Sequence, residues 1–257
     1  MEIVNGIYHN TVELNSHDVD TFNLVHPAHY FRVLQEASGS HAYLKGVGIP
    51  HLRKEGMTWV VTRTRMEIYH YLSWPATIEV ETWPQGIWKF YYPRVCRANS
   101  KDGNPLFEAM SQWLVVDTET QRPQRNERIS NSFDQVDKAF YKEPELGPRH
   151  NGEREDLPLL YTYTPKIVYS DVDLNHHVNN VVYLEWMLES LPFTFRDNYL
   201  ATVVDISYRA QAFRDDEVTV TTKGRIGDKG ASLFHSIESS EGIIIATAES
   251  EWRAKAQ

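Results

Sequence analysis

The chain has 257 residues, 41% of them hydrophobic, which allows one or two domains with a substantial core. Its formal net charge of −9 argues against nucleic acid as a general partner, although an acidic protein could still dock on a local basic patch. The one cysteine, Cys96, rules out an intrachain disulfide and suits a reducing compartment.

An extended opening segment leads into a helix expected over Pro27–Tyr43, with Pro27 early in its first turn. Strands are expected at Thr58–Ile68, Thr77–Trp83, Trp88–Ala98 and Leu106–Val116, with a tight turn at Asp102-Gly103. The stretch EPELGPRHNGEREDLP, residues 143–158, is charged and rich in Pro and Gly, and reads as an exposed linker. The expected division is a domain over 1–140, a linker over 141–156 and a second domain over 157–257. In the second half Lys166-Ile167-Val168-Tyr169 is expected to be a short strand. Asn179 or Asn180 can cap the helix that follows. Val182, Tyr183, Trp186, Met187 and Leu191 have the spacing of a buried helical face, and Pro192 ends it. Strands follow at Thr202–Tyr208, Glu217–Lys223, Ser232–Ser239 and Ile243–Trp252, with a turn at Glu241-Gly242. The residues Met1-Glu2-Ile3-Val4-Asn5 lack a basic segment followed by an apolar run, and Ile243-Ile244-Ile245 is too short to span a bilayer. A cytoplasmic location is therefore expected, with no membrane partner.

The two halves are one unit written twice. A single shift lays Asp18-Val19-Asp20 on Asp171-Val172-Asp173, Val25 on Val178, Tyr30 on Tyr183 and Glu36 on Glu189. A shorter shift lays Ala109, Ser111 and Trp113 on Ala248, Ser250 and Trp252. The length change falls around Gly46 to Gly56. One long helix followed by an antiparallel meander is an α+β arrangement. A helix wrapped by a curved sheet is a hotdog, so the expected fold is a tandem, or double, hotdog.

The stretch Tyr169 to Asn180 packs carboxylate, amide and imidazole groups just before a helix start, where free N–H groups favour an oxyanion. Asp173, Asn175 and His177 alternate, so in an extended segment they would share one face. An imidazole near a carboxylate can deprotonate water, and an amide can donate to developing negative charge. In the first copy Phe22 and Leu24 stand where the second has Asn175 and His177, and only Asp20 is kept opposite Asp173. The second half is thus expected to work and the first to serve as scaffold or pocket wall. Adjacent His176 and His177 with no third ligand do not make a metal site. No cofactor or metal is expected.

The segment Asp-Val-Asp-Leu-Asn-His-His-Val-Asn-Asn-Val-Val-Tyr-Leu-Glu-Trp, 171–186, closely resembles the second hotdog of the acyl-ACP thioesterases of plants and bacteria. Leu34-Gln35-Glu36-Ala37, His41, Gly46, Gly48, Trp59-Val60-Val61-Thr62-Arg63 and Ser111-Gln112-Trp113-Leu114-Val115-Val116-Asp117 are similar to that family too. The resemblance implies hydrolysis of the thioester of fatty acyl groups on acyl carrier protein, with catalytic residues at Asp173, Asn175 and His177. Plant members carry a Glu-Cys pair after a Tyr-Arg. Here Tyr208-Arg209 is followed by Ala210, with Gln211 and Ala212 at those places, and Gln cannot act as a base. Gln211, Asn179 and Asn180 are expected to support water or the oxyanion.

The mechanism expected is water activation by His177, oriented by Asp173, with the acyl chain lodged largely against the first half. Direct attack by Asp173 is left open. Lys45, Arg53, Lys54, Arg63 and Arg65 are candidates for docking acyl carrier protein, and a homodimer is left open. An acyl-CoA hotdog thioesterase and a non-enzymatic acyl-thioester binding module are the rival readings. A hotdog dehydratase fits less well, because the second acid it would need is missing near His177.

Overall fold

The computed structural model describes residues 1–133, 136 and 154–255. The chain forms two compact units, Met1–Leu146 and Gly147–Gln257. Of the expected linker, 141–156, all but residues 154–156 lies outside the described residues.

The first unit contains strands β1 (Glu2–Val4) and β2 (Ile7–Glu13), then helices α1 (Pro27–Leu44) and α2 (Ile49–Leu52). Strands β3 (Met57–Ile68), β4 (Thr77–Pro84), β5 (Tyr91–Ser100), β6 (Pro105–Asp117) and β7 (Pro123–Gln124) and helix α3 (Glu127–Ser132) complete it. Its antiparallel sheet runs β1-β2-β4-β5-β6-β3, with β7 added to β6. Helix α1 starts at Pro27, whose missing N–H is no loss there. It buries Tyr30, Phe31, Val33, Leu34, Ala37 and His41, one face at helical spacing. It ends at Gly46, whose φ of +72° suits a residue without a side chain, while the Val47 N–H reaches back to the Ala42 carbonyl.

The second unit contains β8 (Leu159–Tyr163), α4 (Asn180–Glu189), α5 (Phe193–Asn198), β9 (Tyr199–Tyr208), β10 (Val218–Gly227), β11 (Gly230–Ser239) and β12 (Ile244–Ala254). Its sheet runs β9-β12-β11-β10-β8, the same connectivity as β3-β6-β5-β4-β2. The helix expected to end at Pro192 ends at Glu189, and Pro192 caps a further short helix, α5. Each unit is an α+β hotdog, so the chain is a tandem hotdog.

The duplication reaches into irregular detail. The Trp113 and Trp252 indoles each donate to a serine two residues earlier, Ser111 and Ser250, at 2.8 Å in both. A bulge falls at Thr62 in β3 and at Thr202 in β9, and each threonine hydroxyl donates to a carbonyl on the neighbouring strand, of Gln112 and of Glu251. The turns at Gly103 and Gly242 have φ of +82° and +79°. Such matches carry the repeat seen in the sequence into side-chain bonds, bulges and turns.

The expected strand at Lys166–Tyr169 is not formed. Tyr169–Asp171 is instead a 3-10 turn, because the Asp171 carboxylate accepts the Val168 N–H at 2.9 Å and draws the chain out of extended pairing. The first unit does the same with Asp18 and the Asn15 N–H at 2.8 Å.

The second core contains a buried polar chain. Ser190 Oγ donates to the Met187 carbonyl at 2.7 Å, so it accepts from Thr222 Oγ1 at 2.8 Å. Thr222 must then accept from His235 Nδ1, also at 2.8 Å. His235 Nε2 accepts from Ser250 Oγ at 2.9 Å, and Ser250 accepts from Trp252. Every proton position follows from the two ends. Burial pushes the pKa of His235 down to about 3, so the ring is neutral, as the chain requires.

Candidate active site

Asp173, Asn175 and His177 lie in a tight hairpin between the 3-10 turn and α4. Val172 bridges to Val178, and the Asp173 N–H donates to the His177 carbonyl at 2.9 Å. The chain therefore reverses at Leu174 and Asn175, and the expectation of one shared extended face is wrong. Two features fold it back. One Asp173 carboxylate oxygen accepts the Asn175 N–H at 2.7 Å, an Asx-type turn. His176 takes a left-handed φ of +65°, and its N–H donates to the Asp173 carbonyl. The hairpin still brings Asp173 and His177 directly opposite each other, with Asn175 at the bend. All three are half-buried, whereas His176 is exposed.

The first unit has the same hairpin. Val19 bridges to Val25, the Asp20 N–H donates to the Leu24 carbonyl, and Asp20 accepts the N–H groups of Phe22 and Leu24 at 2.9 Å each. Asn23 takes φ of +60° where His176 takes +65°. The carboxylate is thus part of the turn in both copies. The imidazole of His177 and the amide of Asn175 are not, because Leu24 and Phe22 occupy the same frame.

Asn179 is the helix cap. Its side chain accepts the Val181 N–H at 3.0 Å, and its own N–H donates to the Asp171 carbonyl at 2.8 Å. That N–H is committed to the turn. Asn180 opens α4, and its carbonyl accepts the Tyr208 hydroxyl at 3.2 Å.

Gln211 lies past the end of β9, in a segment tied by two contacts to the hairpin and by one to α4. The Val178 N–H donates to the Ala212 carbonyl at 2.9 Å, and the Ala212 N–H donates to the Tyr183 hydroxyl at 2.8 Å. The Phe213 ring stands edge-on to the His177 ring, with centroids 5.0 Å apart. Gln211 is half-buried beside them. The Tyr183 clasp was not legible as part of the site, since the residue reads as one more position of the buried helical face. Burial and the nearby Asp173 charge push its phenol up to about 12, overriding the opposing effect of the Ala212 N–H, so it stays protonated. The first unit repeats the clasp, with Val25 on the Leu72 carbonyl and the Leu72 N–H on the Tyr30 hydroxyl at 3.3 Å.

The first unit has an imidazole–carboxylate pair of its own, in a different place. His29 Nδ1 in α1 lies 2.9 Å from the buried Asp18, an ion-pair distance without hydrogen-bond geometry. Val182 takes the His29 position in the second copy. Cys96 is buried in β5, and burial pushes its thiol pKa up, so it is poorly placed to supply a thiolate. Among the described residues no group of three or more His, Cys, Asp or Glu could hold a metal, and no helix is long and apolar enough to cross a membrane.

Comparison with known proteins adds a separate line of support. Residues 5–130 match the acyl-ACP thioesterase N-terminal domain and residues 157–254 match the acyl-ACP thioesterase C-terminal domain. The chain belongs to the acyl-ACP thioesterase family. It is 29% identical to the chloroplastic oleoyl-acyl carrier protein thioesterase 1 of Arabidopsis thaliana, over 87% of this chain and 69% of that one. It is 26% identical to the chloroplastic dodecanoyl-[acyl-carrier-protein] hydrolase of Cinnamomum camphora, over 97% and 68%. Among solved structures it is similar to a 12:0-ACP thioesterase from Umbellularia californica, with a TM-score of 0.84, 24% identity and coverage of 97% and 95%. It is also similar to an oleoyl thioesterase (putative) from Lactobacillus plantarum, with a TM-score of 0.87, 19% identity and coverage of 99% and 100%. The family assignment and the hairpin comparison are independent, since the second uses only this chain's two halves.

Proposed function

We propose that the protein hydrolyses the thioester of fatty acyl-acyl carrier protein, with the chemistry at the 172–178 hairpin. One observation carries the placement of the site. Two copies of one hairpin share the carboxylate that folds them, and only the second adds an amide and an imidazole. His177 takes a proton from water as it attacks the thioester carbonyl, and the imidazolium gives that proton to the sulfur as the C–S bond of the tetrahedral adduct breaks and the thiol leaves. Asn175 donates to the oxyanion, with the opening amide of α4 at Asn180 in support. Asp173 is a positioning residue: it fixes the turn that sets His177, and its charge favours the imidazolium that forms. Gln211 holds the attacking water by hydrogen bonds and cannot itself accept its proton.

Acyl carrier protein is acidic, so docking draws on basic residues of the first unit. Arg53 and Lys54 are exposed at the end of α2, and Lys45 and Arg65 are half-buried, the latter paired with Glu67 at 3.1 Å. Arg63 drops out of the docking set, because it is only 3% exposed.

The test is release of free thiol from acyl-acyl carrier protein, followed with a thiol-trapping reagent across chain lengths. The expected result is turnover on acyl-acyl carrier protein, reduced by at least about a hundredfold in His177→Ala and in Asp173→Ala. Near-normal rates in both variants would overturn the site. Binding with no thiol release would point to a carrier module, and faster turnover of acyl-CoA to the other thioesterase class.

A further inference from the structure

The second unit contains an aromatic ring that core packing does not account for. Phe213 is 46% exposed, so burial explains little of its presence. Its backbone is fixed on both sides. Just before it, Ala212 accepts from the Val178 N–H at 2.9 Å and donates to the Tyr183 hydroxyl at 2.8 Å. Just after it a turn closes: the Phe213 N–H donates to Asp216 Oδ2 at 2.8 Å, and the Asp216 N–H donates to the Phe213 carbonyl at 3.1 Å. So held, the ring meets His177 with centroids 5.0 Å apart and planes at 86°. Edge-on contact of this kind is a preferred geometry of aromatic pairs.

The first unit has the same frame without the imidazole. The Val25 N–H donates to the Leu72 carbonyl and the Leu72 N–H to the Tyr30 hydroxyl, so Leu72 stands where the second unit has Ala212. The next residue is the exposed Ser73, in the place of Phe213. Leu24 stands in the place of His177. The tie between hairpin and segment differs as well. In the first unit Asn23 Nδ2 donates to the Trp74 carbonyl at 2.9 Å, and Asn23 Oδ1 accepts the Trp74 N–H at 3.0 Å. Those bonds hold the left-handed turn residue. In the second unit His176 takes that left-handed place, and the ring contact falls on its neighbour, His177. The frame thus closes with a serine, and the phenylalanine accompanies the imidazole.

A base works only while its nitrogen stays within hydrogen-bond reach of the water it deprotonates. The hairpin sets the backbone of His177 but not its side-chain torsions. An aromatic ring fixed edge-on beside the imidazole bars part of that rotation. We propose that Phe213 is a positioning residue, which holds the His177 imidazole in the orientation that serves hydrolysis. The inference rests on the reading of His177 as the base, and Phe213 acts only through it.

The test compares Phe213→Ser, the residue type that the first unit carries in this place, with Phe213→Tyr, which retains the ring. Phe213→Ser should fold as the parent does and lose at least about tenfold in kcat, with KM changed by less than about twofold. Phe213→Tyr should bring kcat back to within about threefold of the parent. In full-length protein isotope-labelled at histidine, the imidazole signals of His177 are those missing from His177→Leu. They should move in Phe213→Ser and return in Phe213→Tyr, because a neighbouring aromatic ring shifts them. A parental kcat in Phe213→Ser overturns the proposal. So does a loss confined to KM, which would make the ring a substrate contact alone. Phe213→Tyr as slow as Phe213→Ser, or His177 signals that do not move, would overturn it too. If Phe213→Ser does not fold, Phe213→Leu, which keeps bulk and loses the ring, is read by the same measures. The two readings fail separately: a near-normal rate in His177→Leu removes the base itself, whereas a collapsed His177→Leu beside a normal Phe213→Ser removes Phe213 alone.

Discussion

Asp173 and its counterpart Asp20 accept backbone amides in the same kind of turn, so geometry alone explains a carboxylate at this position. Substitution by alanine therefore cannot separate the turn from the charge. Asparagine can, because its side-chain oxygen accepts the same N–H while carrying no charge. Asp173→Asn should retain the melting temperature of the parent and still lose at least about tenfold in hydrolysis if the charge supports the imidazolium. A normal rate in Asp173→Asn, with a collapsed rate in Asp173→Ala, would reduce Asp173 to a turn residue. At His177 the natural control is leucine, since Leu24 already sits in the same frame. His177→Leu should fold normally and lose at least about a hundredfold in rate, measured by thiol release. What the sequence could not reveal at this scale was the bend. Alternating polar residues suggest a strand, and only the side-chain bond to Asn175 and the left-handed His176 fold the segment back.

Among the elements, regular strands and helices were legible because their periodicity and turn residues are local, and the matched Ala-Ser-Trp triplets tied β6 to β12 before any fold was known. The Lys166–Tyr169 segment was misread because one carboxylate, Asp171, outcompetes strand pairing there. The tyrosine clasps were illegible for another reason: each joins residues far apart in the sequence with no spacing to betray them. The clasp has a testable consequence. In Tyr183→Phe the buried Ala212 N–H loses its acceptor, which costs about 1–3 kcal/mol, and the Gln211–Phe213 segment loses its tie to α4, the helix that follows the hairpin. Tyr30→Phe removes the twin contact to Leu72 in the first unit. Both variants should unfold at lower denaturant, but only Tyr183→Phe should slow hydrolysis beyond its loss of folded protein. Equal rates per folded molecule in the two variants would mean that the clasp serves stability alone.

For the whole molecule, buried histidines set the response to acid. His41 in the first unit and His235 in the second are both held neutral, with pKa values pushed down to about 3 mainly by burial. His29 is shifted the same way, by burial first and against the pull of Asp18. Below the ordinary histidine pKa of 6.5 the unfolded chain takes up protons at these positions and the folded chain does not. The unfolded state then binds more protons, so stability falls as pH falls, by about 1.4 kcal/mol per pH unit for each such histidine. The loss runs from about 6.5 down to the folded pKa values and levels off below them. Asp18 adds to it at lower pH. Burial would raise its pKa, but the Asn15 N–H and His29 overcome that and hold it below the ordinary 3.8. Its stabilisation is present above 3.8 and is lost as pH drops through the folded value. Melting temperature should therefore decline steadily between pH 6.5 and 4. In His235→Gln the protein is less stable at pH 7, since the polar chain is broken, yet its decline with acid is shallower because one titration is gone. A slope unchanged by His235→Gln would mean that the imidazole is protonated in the folded core, contrary to the one-way hydrogen-bond chain that runs from Trp252 to Met187.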